Sequence, residues 1–178
     1  MDGSADEYNA FVRARTPALL RSAYLLTGDQ QLAEDLVQTA LARTHRAWRR
    51  LHETGNAEAY ARKIMYHAQV SVWRRPRVAE SLLGIVPERG AGRLDVGELD
   101  LGDRAAVRAT LRQALLRLTP KQRAVLVLRF YEDRSEDETA ALLGVTVGTV
   151  KSQTARALGR IRRVAPELAD LYVAGGAR

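Results

Sequence analysis

Apolar residues recur along this chain at helical intervals of three and four, and no alternating run bounded by hairpin turns appears. Residues 5–15 carry a helical pattern. Thr16–Pro17 reads as a cap followed by a proline in the first turn of a new helix, which runs through Leu19, Leu20, Ala23, Tyr24 and Leu26 to Gly28. Asp29 is placed to cap the next helix, predicted to extend to about Arg50. Its stripe is Leu32, Leu36, Val37, Ala40, Leu41, Ala47 and Trp48. After a break at 52–55, Asn56 precedes a helix over 57–75 with Tyr60, Ile64, Met65, Ala68, Val72 and Trp73, which Pro76 stops. The expected fold class is all-α.

Residues 76–104 differ in texture. Glycines, Pro87 and the acids Glu80, Glu88, Asp95, Glu98, Asp100 and Asp103 replace the periodic pattern, so a linker is predicted there and the chain divides into two small helical domains. The assignment is 1–75, a linker over 76–104, a second domain over 105–165 and a tail over 166–178. In the second domain one helix runs to Leu118. Thr119–Pro120–Lys121–Gln122 is a cap, a first-turn proline and a capping-box glutamine, and the helix it starts carries Val125, Leu126, Leu128 and Phe130 to about Asp133. Ser135 with Glu138 is a second capping box. Gly144 ends that helix in the left-handed cap conformation that glycine adopts cheaply, and Thr146 caps another. The last helix sets Val147, Val150, Ala155, Leu158 and Ile161 against Lys151, Ser152, Gln153, Arg156, Arg160 and Arg163, with no acid. A short helix, a glycine turn and a basic second helix make a helix-turn-helix, whose second helix fits the DNA major groove. An ordinary helical hairpin with a solvated basic face is the plainer alternative.

Charge fits a polyanionic partner: the 178-residue chain carries a net +7 and a pI of about 10.2. The absence of cysteine excludes disulfides, thiol chemistry and cysteine-based zinc sites. His45, His52 and His67 lack a third partner at ligand spacing, so no metal is expected. No glycine-rich phosphate loop and no nucleophile–base pairing appear. Acids such as Glu34–Asp35 and Glu136–Asp137–Glu138 suit helix first turns. No enzyme and no cofactor are expected. The acidic N-terminus is not a signal peptide, and no apolar run is long enough to span a membrane, so a cytoplasmic location is expected.

The run LTPKQRAVLVLRFYEDRSEDETAALLGVTVGTVKSQTARALGRIR resembles the fourth conserved region of bacterial RNA polymerase sigma factors, and DQQLAEDLVQTALARTHRAW resembles their second region. Two such regions joined by a linker resemble the layout of extracytoplasmic-function sigma factors of the sigma-70 family. TVKSQTARAL looks like the sigma-E-like branch common in actinobacteria. The resemblance implies a factor that binds core RNA polymerase, brings it to promoters and helps open the DNA. It implies docking on the β′ clamp helices through Asp35, Leu36, Val37 and Gln38. The residues alone read equally as core leucine and valine beside solvated Asp35 and Gln38. Thr39 departs from the acid often found there.

The helix from Ala57 corresponds, by the same resemblance, to the reader of the −10 element. Its chemistry suits unpaired DNA, where aromatic faces stack on bases and cations follow phosphates. The candidates are Asn56, Tyr60, Arg62, Lys63, Arg74 and Arg75. Asn56 could equally be a helix cap only, and Trp48 and Trp73 read better as core than as stacking platforms. His67 and Ser71 stand where the family often has Asn and Asp. The last helix corresponds to the −35 reader, with Lys151, Gln153 and Arg156 for base edges or nearby phosphates, Thr149 and Ser152 as weaker candidates, and Lys121 and Arg123 for the backbone. Gln153 stands where many members have Arg, and glutamine pairs with adenine where arginine pairs with guanine. Expected partners are core RNA polymerase and promoter DNA, with an anti-sigma factor common in the family, and the free chain is expected to be a monomer. The acidic linker reads as a tether, or as a nucleic-acid mimic as in related factors. A helix-turn-helix regulator that does not replace the sigma subunit, and a helical interaction adaptor, are the alternatives.

Overall fold

The computed structural model describes residues 3–53, 55–72 and 103–168, all of them helices and short connections. The chain divides into two compact units, Met1–Ala91 and Gly92–Arg178. The first holds α1 (Gly3–Thr27), α2 (Gln30–Arg46), α3 (Trp48–Glu53) and α4 (Ala57–Val72). The second holds α5 (Asp103–Leu116), α6 (Pro120–Leu126), a π-helical turn (Val127–Tyr131), α7 (Glu136–Leu143) and α8 (Val147–Val164). Trp73, Arg74, Arg75, the linker from 76 to 102 and the tail beyond Leu168 lie outside the described residues.

In the first unit α2 packs against both α1 and α4. The core comes from one stripe of each: Leu19, Ala23 and Leu26; Ala33, Leu36, Val37 and Ala40; Ala61, Met65 and Tyr66. The α1–α2 corner is local chemistry. Gly28 takes φ 72, the left-handed conformation, and donates to the Tyr24 carbonyl at 2.7 Å. Asp29 Oδ1 then accepts from the Leu32 N–H at 2.9 Å, as the sequence predicts. Buried Gln69 donates Nε2 to the Leu26 carbonyl at 3.2 Å and so ties α4 to the end of α1.

Two expectations fail here. No new helix begins at Thr16–Pro17: Pro17 sits inside the single 25-residue α1. Thr16 Oγ1 donates to the Val12 carbonyl at 2.7 Å instead of capping a helix on its C-terminal side. Burial of the Leu19–Ala23–Leu26 stripe outweighs the local cost of proline. Nor does α2 continue to Arg50. It steps at Ala47, whose N–H turns to the Thr44 carbonyl at 3.1 Å, and α3 resumes with Leu51 N–H on the Ala47 carbonyl at 3.1 Å. Beyond the step lies an aromatic cluster. Trp48, Leu51 and Ala57 are buried with Tyr8, Phe11 and Tyr60 against them. The Trp48 ring centroid lies 5.2 Å from Tyr8, edge-on, and 5.1 Å from Phe11. Tyr8 also donates its hydroxyl to the Leu41 carbonyl at 2.9 Å, and burial raises its pKa.

In the second unit α6 and α7 both pack on α8. Val125, Ala140 and Val150 form the buried contact, with Leu143 and Val147 around it. Both predicted capping boxes form, at Thr119/Gln122 and Ser135/Glu138. The helix predicted to run through Phe130 to about Asp133 instead ends at Leu126 and passes into the π turn. Val125 through Leu128 are all buried, and the backbone then widens into the π turn. Glu132 N–H reaches the Val127 carbonyl and Arg134 N–H the Leu128 carbonyl, each at 2.9 Å. The extra residue in that turn rotates the end of the helix outward, leaving Phe130 56% and Tyr131 48% exposed.

Pro17→Ala discriminates the two readings of α1. In a continuous helix the proline forfeits one hydrogen bond and crowds the preceding turn. Alanine is therefore expected to stabilise the unit by about 1–3 kcal/mol. Thermal unfolding checks this; a lower Tm would place Pro17 at a helix start.

Candidate nucleic-acid and protein-docking surfaces

Gly144, Val145 and Thr146 join α7 to α8. Gly144 adopts φ 66 and ψ 39, and its N–H meets the Ala140 carbonyl. Thr146 caps α8 by accepting from the Thr149 N–H at 3.2 Å. Val150 and Ala157 anchor α8 to the core, while Lys151, Ser152, Arg156, Arg160, Arg162 and Arg163 are exposed on a helix without a single acid. Gln153 is half-buried. Thr149 and Ser152 are engaged locally: Thr149 Oγ1 lies 2.9 Å from Thr146 Oγ1, and Ser152 Oγ donates to the Thr149 carbonyl at 3.0 Å. Lys151 Nζ is 3.6 Å from Glu136 Oε2, an exposed pair of little strength in water. Behind these residues Gln122 of α6 and Ala155, Arg156, Gly159, Arg160 and Arg163 of α8 line an open groove.

Arg123, expected on the DNA backbone, lies inside and is only 4% exposed. Its Nε donates to the Leu115 carbonyl at 2.8 Å, and its Nη2 to Leu116 at 3.1 Å and Leu118 at 3.3 Å. A helix leaves its last carbonyls without intrahelical partners, and a cation satisfies them while meeting the negative end of the helix dipole. Burial pulls the guanidinium below its ordinary pKa, and the three carbonyls keep the charged form favourable. The exposed cation of this helix start is Lys121.

In the first unit the four residues of Asp35–Gln38 divide. Leu36 and Val37 are buried in the core, while Asp35 and Gln38 face out beside Thr39. Gln31 Nε2 donates to Asp35 Oδ1 at 3.4 Å. Leu32, read from the sequence as core, is 52% exposed on the same side and adds an apolar patch to that face. A helix packed on its core along one stripe can still place residues three and four apart on one outer edge.

Arg62 also departs from its expected role. It is buried, with Nε 3.2 Å and Nη2 3.0 Å from Glu58 Oε1, and Glu58 Oε2 holds Arg15 Nε at 3.1 Å. These two bonds of the guanidinium stay on α4, and it is the Arg15–Glu58 pair that joins α4 to α1. Tyr60 is half-buried against the Trp48 cluster, Lys63 is exposed, and Asn56 is exposed at the start of α4. Asn56 donates its N–H to the Leu51 carbonyl at 3.2 Å and accepts from Tyr60 N–H at 3.0 Å, after Gly55 at φ 67. Arg74 and Arg75 lie outside the described residues. Sequence reasoning missed other cations. Arg46, Arg49 and Arg50 surround a groove with Ser4, Ala5, His45, Ala47 and Trp48. The signal was present as a basic run, Arg46, Arg49 and Arg50, interrupted by Ala47 and Trp48.

Comparison with known proteins bears on both units. Residues 11–78 match the family model described as Sigma-70 region 2, and residues 108–161 the one described as Sigma-70, region 4. The chain is 42% identical over 160 residues to the RNA polymerase sigma-E factor of Streptomyces coelicolor, covering 90% of this chain and 86% of that one. It is 41% identical over the same length to the sigma-E factor of Streptomyces avermitilis, with the same coverage. Among solved structures it is similar to the sigma factor RpoE from Bartonella quintana in complex with the anti-sigma factor NepR. The TM-score is 0.63 at 27% identity, covering 89% of this chain and 96% of that one.

The second unit supports two measurements. Arg123→Ala strands three carbonyls and is expected to destabilise by about 2–4 kcal/mol, whereas Lys121→Ala shifts stability by no more than about 0.5 kcal/mol. Comparing the two Tm values checks the assignment. The Ser135 backbone N–H, then its hydroxyl, hold the Glu138 carboxyl below the usual range. A depressed folded-state pKa contributes stability above the ordinary carboxylate range and loses it as pH falls through the folded value. NMR titration is expected to place the Glu138 midpoint low, and Ser135→Ala to move it up.

Proposed function

Because the chain belongs to the sigma-70 family, as an extracytoplasmic-function sigma factor that directs promoter-specific initiation by RNA polymerase, we propose how its two units divide that work. It acts by binding and not by catalysis, as sigma factors do. The single observation that carries the proposal is α8: a capped helix with Val150 and Ala157 buried, an acid-free outer face and five cations. Its first turns read the −35 element. Lys151 and Arg156 reach base edges or phosphates, and Gln153 supplies the amide that pairs with adenine. Thr149 and Ser152, engaged in the cap, position these three. Lys121 serves the backbone contact that buried Arg123 does not make.

The first domain, over 1–75, docks on the β′ clamp helices and reads the −10 element. Docking uses the outer edge of α2, where Asp35, Gln38 and Thr39 flank exposed Leu32; Leu36 and Val37 act by holding that edge in place. Asn56, Tyr60 and Lys63 face the unpaired strand, with Arg74 and Arg75 following in sequence. Arg46, Arg49 and Arg50 replace Arg62 as the phosphate contacts. The second domain, over 105–165, follows the linker over 76–104. Free, the chain is a cytoplasmic monomer. No helix among the described residues is long and apolar enough to cross a membrane. The NepR complex of the Bartonella relative supports an anti-sigma factor as a further partner.

In vitro transcription with purified core enzyme tests the whole reading. For the docking edge, Asp35→Ala with Gln38→Ala is expected to weaken core binding on the order of tenfold or more without lowering the Tm. A titration of core enzyme that matches the wild type would remove the assignment. For the reading helix, Gln153→Arg is expected to move selection from a randomised −35 library toward guanine at one position. An unchanged selection would refute Gln153 as a base reader.

A further inference from the structure

Gly159 is the thirteenth residue of the 18-residue α8, deep inside a helix where glycine is a poor choice. Nothing among the described residues explains it. Its φ is not positive, so the backbone does not require glycine there. A Cβ built on it meets no atom within 4 Å, so no neighbouring element excludes a side chain. The open space is the groove lined by Gln122, Ala155, Arg156, Gly159, Arg160 and Arg163. Arg156, Arg160 and Arg163 stand at spacings of four and three, on one face of the helix. No acid lines the groove. From the other side, Gln122 turns its Oε1 to the Thr119 N–H at 3.2 Å, which leaves its amide N–H₂ as the donor toward a ligand.

We propose that this groove seats a phosphate of the promoter DNA backbone beside the −35 element, and that Gly159 keeps the wall of α8 low enough for that phosphate to approach the helix. Guanidinium groups match phosphate oxygens in charge and in hydrogen-bond geometry, and a bare helix side shortens the distance they must span. The contact carries affinity and register and no base identity. It rests on the reading of α8 as the −35 helix. It adds Gly159, Arg160, Arg163 and Gln122 to the residues that hold DNA.

The test uses core polymerase carrying the full chain, on duplex promoters. Gly159→Ala is expected to leave the Tm equal or higher, since alanine is the better helix former, while weakening promoter binding roughly three- to tenfold at every −35 sequence alike. Replacing single phosphates around the −35 element by neutral methylphosphonates locates the contact. One linkage is expected to cost the wild type roughly tenfold and to cost Gly159→Ala and Arg163→Ala little. Wild-type affinity in Gly159→Ala, or a linkage penalty equal in all three proteins, would overturn the proposal. Unchanged promoter binding with lost binding of a polyglutamate peptide would reassign the groove to an acidic protein segment. A wild-type holoenzyme indifferent to the −35 sequence would defeat the reading of α8 itself, and is scored on the wild type alone.

Discussion

The contact among Val125, Ala140 and Val150 is what the reading helix stands on. Each residue comes from a different helix, and all three are buried. Ala140 is small, so α7 can approach α8 closely. Gly144 and the Thr146 cap then close the turn between them with their backbone groups satisfied. With Val150 fixed inward, helical geometry places Lys151 and Gln153 on neighbouring sides and carries Arg156 to the outer face. A cavity at Val150 would therefore cost more than packing energy, because it would loosen the direction of every side chain proposed to meet DNA. The same logic governs α2, where Leu36 and Val37 hold Asp35 and Gln38 in place from behind.

Cations in this chain do two different kinds of work, and burial separates them. Arg123 and Arg62 lie inside, one on three carbonyls at the end of α5 and the other on Glu58. Taking a guanidinium out of water costs several kcal/mol unless partners surround it, so both are committed to their own unit. Arg46, Arg49, Arg156, Arg160 and Arg163 remain at the surface, where long-range attraction and salt-dependent phosphate contact operate. The net charge of +7 therefore says little by itself about where a polyanion would bind, and the placement of the cations matters more than their sum.

Much of the local architecture was legible because caps are short-range. Asp29, Thr119, Ser135, Gly144 and Thr146 each act within four residues, and all five do what their sequence positions imply. The illegible features depend on distant partners. Pro17 reads as a helix start until the Leu19 stripe is seen to bury against α2. The step at Ala47 serves Tyr8 and Phe11, which lie on a different helix far back in the sequence. Phe130 keeps helical spacing in the sequence, yet the π turn removes it from the core. For the site, an arginine that caps a carbonyl and one that meets a phosphate look alike in one dimension. Only the fold distinguishes Arg123, buried on carbonyls, from Arg156, exposed on α8.

Weakness of the individual surface contacts is consistent with the work assigned to them. The Lys151–Glu136 pair at 3.6 Å is exposed, so a phosphate or base edge displaces it at small cost. Neither reading unit needs high affinity alone, because two modules on one chain raise each other's effective concentration once the polymerase is bound. A tightly binding α8 would hold the free factor on any DNA, since phosphate contact is blind to sequence. In the proposed division of work, spreading the affinity over a docking edge, a strand-holding surface and a short reading helix makes promoter engagement depend on all three. Base contacts such as the one proposed for Gln153 can then decide between sites while each remains modest in energy.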